Sequence, residues 1–325
     1  MNARPFGIEK IETYLPPKTV TAEELASQFG FDPEFISNKV GVKQLHQAEG
    51  ETTSDMAVRV MNKLLEVYPA LRTTLDVLVI CTQTPDFQLP QISALVQSRC
   101  NLPKQVASFD MGLGCSGFVY GINVIESLLA RNGMSTGVLI TAETYSSVIN
   151  PADRNTKCLF SDGAAATLIT RQGNIRLGEF RFGTDGDYFD ALIIRPHDDD
   201  SGKHELFMDG RRIFEFVVST IPSEVHSACA ANKTCLEELD FLVFHQASKF
   251  VMDTIAKKLC LKNPERMVNV LHRYGNTVSS SIPMALKDTL TLHGNRDLKI
   301  LISGFGVGLS WATTVLTTEG DCSNV

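Results

Sequence analysis

Four segments of the 325-residue chain recur in the same order. LDVLVICTQT at 75–84 resembles LDFLVFHQAS at 239–248, at an offset of 164. GFVYGINVIESLLARNG at 117–133 falls on SSSIPMALKDTLTLHG at 279–294, and GVLIT at 137–141 falls on KILIS at 299–303, both at an offset of 162. GAAATLIT at 163–170 resembles SWATTVLT at 310–317, at an offset of 147. A repeat of this kind constrains the fold more than any local motif. Each copy is one supersecondary unit that buries its apolar face only against its neighbours. The shorter last offset fits extra residues in the first copy between Ala142 and Gly163. The chain therefore reads as two pseudo-symmetric halves, 1–175 and 176–325, with the junction near 171–185.

The pattern within each half is α/β. Residues 75–81 form a continuous apolar run, as expected of a strand buried on both faces. A helix is expected over 91–100, a short strand over 106–110, a helix over 117–131 ending at Asn132-Gly133, and a buried strand over 137–142. Residues 164–170 and 174–182 read as a hairpin. Strands alternating with helices predict a mainly parallel sheet.

Composition removes several classes of function. The net charge of −7 and a pI near 5.5 argue against nucleic acid or an anionic membrane as partner. No apolar run approaches the roughly 20 residues of a membrane span. Eight cysteines include no C-x-x-C pair and no Cys/His cluster with zinc spacing, so no metal is expected. The first ten residues carry no signal-peptide core, and a reduced, cytoplasmic protein is the expectation. The polar stretch HDDDSGKH at 197–204 lacks EF-hand spacing and reads as a solvated loop.

Gly112-Leu113-Gly114-Cys115-Ser116-Gly117 matches G-x-G-x-x-G, the dinucleotide-binding fingerprint, with Glu143 near the place of a ribose-binding acid. A second reading is a nucleophile. Cys115 stands at a strand-to-helix turn, where the helix dipole and free N–H groups favour thiolate. Taken singly, Cys115 reads equally as a small packed residue, His245 as a structural histidine and Asn276 as a helix cap. The repeat draws them together. His245 ends the strand 239–248, and Asn276 precedes the helix that pairs with the one after Cys115, so all three belong at the ligand-binding end of a duplicated fold. A papain-like hydrolase also uses Cys, His and Asn in that order, but its local signature and any duplication are absent.

The blocks DMGLGCSGF, FHQAS, YGNTVSSSIP and GFGVGLSWA resemble the signature segments of the thiolase superfamily, and more closely those of β-ketoacyl-acyl-carrier-protein synthase III. The resemblance runs from YLPP at 14–17 to the final strand. It implies a thiolase-like five-layer αβαβα fold and a homodimer. It implies that Cys115 is acylated by acyl-CoA and that His245 and Asn276 promote decarboxylative condensation with malonyl-carrier protein, with no cofactor. The backbone N–H groups of Cys115 and Val307 would form the oxyanion hole, Val307 standing where the family commonly has glycine. NPADRNTKCLFSDGAAA resembles the stretch with a CoA-contacting arginine, here Arg154, and Phe35 replaces the family's tryptophan. Phe250 stands where an arginine often helps dock the carrier protein, and Lys249, Lys257 and Lys258 are candidates to supply that positive face. Phe87 and Leu89, in TPDFQLP, match a loop that reaches across the dimer to close the partner's acyl pocket. A relative that passes the acyl group to a non-malonyl nucleophile is the alternative function.

Overall fold

The computed structural model describes residues 5–196 and 204–325, so the expected loop at 197–204 lies almost wholly outside the described residues. One mixed sheet runs through the chain. Its strands are β1 (Gly7–Tyr14), β2 (Val77–Cys81), β3 (Ala107–Met111), β4 (Thr136–Glu143), β5 (Gly163–Thr170), β6 (Ile175–Leu177), β7 (Arg181–Thr184), β10 (Phe241–Phe244), β11 (Lys299–Gly306) and β12 (Ser310–Thr318). A separate ribbon pairs β8 (Leu192–Pro196) with β9 (His204–Met208). The main path is β10-β11-β12-β6-β1-β5-β4-β2-β3, with β7 against β12.

The repeat is visible in this order. In the first half β2 runs parallel to β4 and β4 antiparallel to β5; in the second, β10 runs parallel to β11 and β11 antiparallel to β12. The outer strand β3 has only a remnant in the second half, a bridge between Leu242 and Met267. The halves join where β1 pairs with β6, Gly7 opposite Arg176 and Ile8 opposite Ile175.

Helices α1 (Thr53–Val67) and α2 (Ile92–Arg99) cover one outer face, and α4 (Gly210–Ala231) and α5 (Lys249–Lys258) cover the other. Helices α3 (Gly117–Asn132) and α6 (Ser281–His293) lie between the two halves of the sheet. This is the five-layer αβαβα arrangement of the thiolase fold. The central layer is almost wholly apolar: Phe118, Ile122 and Ile125 of α3 pack in one cluster with Ile282, Leu286 and Leu290 of α6. Caps set the helix starts. Thr52 and Asp55 form a reciprocal capping box on α1, and the Asp209 carboxylate accepts from the first N–H groups of α4.

The expected hairpin of 164–170 and 174–182 does not form. Its strands exist, but β1 is inserted between β5 and β6 and pairs with both. The turn between them instead carries the chain from one half to the other.

Candidate active site

Cys115 lies between the end of β3 and the start of α3 and is 3% exposed. Strand β11 of the second half closes on it. A methyl added at Gly304 would come within 2.6 Å of the Cys115 carbonyl oxygen, and one at Gly306 within 2.9 Å of Cys115 Sγ. Only glycine lets the strand approach the nucleophile loop so closely. Ser116 and Ser310 share a hydrogen bond of 2.7 Å across the same seam.

The phosphate-cradle reading of the loop does not hold. A methyl at Gly114 would overlap the Gln83 amide, and one at Gly117 would overlap Cys81 Sγ. Two of the three glycines are therefore sites of side-chain packing, not clearance for an anion. Glu143 is fully buried and unavailable to a ribose. Its Oε2 accepts from the Gln83 N–H (3.0 Å) and the hydroxyls of Thr82 (3.3 Å) and Thr84 (3.1 Å), and its Oε1 from Ser279 (2.9 Å).

Burial pushes the Glu143 carboxyl up to about 7 against those four donors. The thiol of Cys115 is also pushed up, to about 12, by burial first and by the charge of Glu143 second. Backbone N–H groups of Val307 and of Cys115 itself act the other way. Against the expected thiolate at the helix start, desolvation and the buried Glu143 carboxylate favour the protonated thiol.

His245 follows β10 and is 3% exposed; Asn276 precedes a short turn before α6 and is 2% exposed. Burial holds the His245 imidazole at about 3, so it is neutral at ordinary pH. Its Nδ1 lies 2.8 Å from Ser281 Oγ, and its Nε2 lies 3.5 Å from Asn276 Nδ2. The Val278 N–H donates to Asn276 Oδ1 (2.9 Å), which turns the amide nitrogen toward the histidine. Cys115, His245 and Asn276 line one cavity of about 440 Å3. The structure thus brings together the three residues singled out in the sequence. Ser281 and Ser279 stood in the quoted YGNTVSSSIP block but drew no attention, because neither pattern nor spacing marks a serine that supports a ring or a carboxyl.

Arg211, Phe214 and Phe250 also line the cavity, and Arg211 and Phe250 are exposed. Phe250 stacks on Phe214 with ring centroids 5.1 Å apart, and Lys39 Nζ lies 5.7 Å from its centroid. Lys249 is paired with Asp253 at 2.5 Å, while Lys257 and Lys258 are exposed on the same helix. Arg154 and Phe35 meet through a residue the sequence did not single out. The Arg154 guanidinium lies 5.3 Å from the Phe31 ring, and Phe31 lies 5.3 Å from Phe35. Phe87 and Leu89 are exposed and line neither cavity beside Cys115. Among the described residues, no group of three or more His, Cys, Asp or Glu side chains is placed to hold a metal, and no helix is long and apolar enough to cross a membrane.

A duplicated thiolase fold with a cysteine, a neutral histidine and an asparagine in one cavity defines an acyl-transferring condensing enzyme. Comparison with known proteins is specific. Residues 109–186 match the family model for 3-oxoacyl-[acyl-carrier-protein] synthase III, and residues 229–318 match the model for its C-terminal region. The chain is 33% identical over 323 residues to the β-ketoacyl-[acyl-carrier-protein] synthase III of Streptococcus sanguinis, covering 95% of this chain and 98% of that protein. It is 32% identical over 317 residues to that of Lactococcus lactis subsp. cremoris, covering 93% and 96%. The crystal structure of the Pseudomonas aeruginosa enzyme superimposes with a TM-score of 0.88 at 30% identity, covering 98% of this chain and 99% of that one. The chain belongs to the β-ketoacyl-acyl-carrier-protein synthase III family.

Proposed function

We propose that this enzyme acylates Cys115 from an acyl-CoA and condenses that acyl group with malonyl-acyl-carrier protein. The observation that carries the reading is the approach of His245 Nε2 and Asn276 Nδ2 to 3.5 Å in the cavity that Cys115 lines. Two donors at that separation suit a single shared oxygen.

In the first half-reaction the Cys115 sulfur attacks the thioester carbonyl. The N–H groups of Cys115 and Val307 take the oxyanion, the C–S bond to CoA breaks, and the thiol proton leaves with CoA as its thiol. In the second, malonyl thioester loses CO2 and the electron pair moves onto its carbonyl as an enolate. His245 and Asn276 donate to that oxygen. A neutral histidine suits this task, since no proton is removed. The carbanion attacks the acyl-Cys115 carbonyl, releases the β-ketoacyl thioester, and leaves a thiolate that takes a proton from water. Donation from Nε2 requires Nδ1 to accept. The Ser281 hydroxyl lies 2.8 Å from Nδ1 and donates to the Val278 carbonyl at 2.9 Å, so it gives Nδ1 that hydrogen bond only by turning from the carbonyl. One preorganised oxyanion donor is worth about 10²–10³ in rate.

The cavity, with Phe214 and Phe250 in its lining, and the Arg154–Phe31–Phe35 row support a CoA-length thioester arm, with the adenine end near Arg154. Lys249, Lys257 and Lys258, with Arg211, are the proposed docking face for an acidic carrier protein. The exposed Phe87 and Leu89 support a homodimer in which they close the partner's pocket, and eight free cysteines fit a cytoplasmic setting without cofactor. The test is intact mass after addition of acyl-CoA, followed by CO2 release from malonyl-carrier protein. Acyl mass on Cys115 without CO2 release indicates transfer to a non-malonyl nucleophile instead; no acyl mass from a range of thioesters ends the reading.

A further inference from the structure

A second cavity, of about 490 Å3, lies beside the first. Its walls include Gln83, Tyr145, Leu192, Ile194, Leu206 and Val307. Cys115 belongs to the packed cluster that contains Tyr145, Leu192 and Leu206, with Ile194 and Val307 against it. The cavity is therefore next to the nucleophile, and Phe250 does not line it.

Its walls are largely apolar, with Gln83 and Thr82 among the polar exceptions. The Gln83 backbone is held by its N–H bond to Glu143. Its side chain lies over Gly114, the residue before Cys115. A methyl at Gly114 would overlap the Gln83 carbonyl oxygen and reach within 2.9 Å of Val307 Cγ1. The Tyr145 hydroxyl donates to Gln83 Oε1 at 2.5 Å. With Oε1 so engaged, the amide nitrogen of this half-buried side chain is turned away from Tyr145. An amide donor oriented by a buried tyrosine, in a largely apolar wall beside a nucleophile, has the form of a specificity group.

We propose that Gln83 reads an oxygen on the acyl group carried by Cys115, so that the enzyme prefers short acyl groups bearing a hydroxyl or keto oxygen over plain alkyl ones. A plain chain would cover the amide N–H without satisfying it. An oxygen within the first few carbons would accept from it. The inference rests on the acyl-Cys115 reading above, and concerns only which acyl group is taken.

Equimolar butyryl-CoA, 3-hydroxybutyryl-CoA and acetoacetyl-CoA compete for the enzyme, and intact mass reads the acyl group on Cys115. The oxygenated groups are expected to exceed butyryl by about 3- to 10-fold, the range of one neutral hydrogen bond. Gln83→Met keeps the length of the side chain and removes the donor, and is expected to abolish or invert the ratio. Tyr145→Phe leaves Gln83 in place but releases its amide, and is expected to shrink the ratio; it guards against a Gln83 variant that fails to fold. Equal or greater butyryl incorporation by the wild type overturns the proposal, as does an unchanged ratio in both variants. An absence of acyl mass from all three, and from other thioesters, instead removes the Cys115 reading itself.

Discussion

Ser279 Oγ donates a 2.9 Å hydrogen bond to Glu143 Oε1, joining the segment before α6 to the end of β4 and so one repeat to the other. The carboxyl it holds is wholly buried, and its charge is felt at Cys115. The reactivity of the sulfur is therefore set partly by a residue that does not line its cavity.

Glu143→Gln keeps the hydrogen-bonding shape and removes the charge. Because that charge raises the thiol, the variant should lower the Cys115 value from about 12. Alkylation of Cys115 by iodoacetamide at pH 8 should then rise about tenfold for each pH unit of lowering. Peptide mass mapping separates Cys115 from the exposed Cys235 and Cys260, which serve as controls. An identical pH profile for Cys115 in both proteins would show that Glu143 has no hold on it.

Stability should carry two opposing pH dependences from the same site. Glu143 is raised from 4.5 to about 7, so its contribution is complete below 4.5 and is lost as pH rises through about 7, a change of about 3 kcal/mol. His245 is lowered from 6.5 to about 3, so its contribution is complete above 6.5 and is lost as pH falls toward 3. Thermal melting from pH 3 to 9 should show Glu143→Gln removing the loss of stability between about pH 4.5 and 7, and His245→Gln removing the loss as pH falls from 6.5 toward 3. Parallel curves for wild type and variants would contradict both assignments.

The two half-reactions should separate by mutation. Cys115→Ala should gain no acyl mass from any thioester. Asn276→Ala should still gain it, because the oxyanion donors are backbone groups, yet release CO2 about 10²–10³ more slowly. Loss of both steps in Asn276→Ala, with its melting temperature unchanged, would argue that the asparagine serves acylation as well.

Much of this architecture was readable from the chain because duplication writes the same strand-helix-strand pattern twice. The segments around Cys115, His245 and Asn276 lie at corresponding places in the two copies, so the sheet end they share followed from order alone. What escaped was set by contacts distant in sequence. The hairpin expectation failed because residues 7–14 are inserted between two strands that are neighbours in sequence. The pull toward the protonated thiol at Cys115 was not legible, because a helix start is a local signal, whereas desolvation and Glu143 act through the packed interior. Gln83 and Phe31 gave no signal, since an isolated glutamine or phenylalanine gains meaning only from what it lies against.

The glycines about Cys115 should differ in how they tolerate a methyl. At Gly117 the main obstacle is a side chain, Cys81 Sγ, with Leu113 Cβ 3.2 Å and Cys81 Cβ 3.8 Å away. Gly117→Ala should destabilise by about 1–3 kcal/mol, and Cys81→Ala should recover much of that loss by making room for the methyl. At Gly304 the obstacles are backbone, the Cys115 carbonyl oxygen at 2.6 Å and Ser116 Cα at 2.8 Å. No side-chain deletion relieves that clash, so β11 must draw back from the nucleophile loop and carry the Val307 N–H with it. Gly304→Ala should therefore lower both melting temperature and the rate of acyl mass gain at Cys115, and Cys81→Ala should rescue neither. Rescue of Gly304→Ala by Cys81→Ala, or full acylation despite lowered stability, would show that the loop relaxes independently of β11.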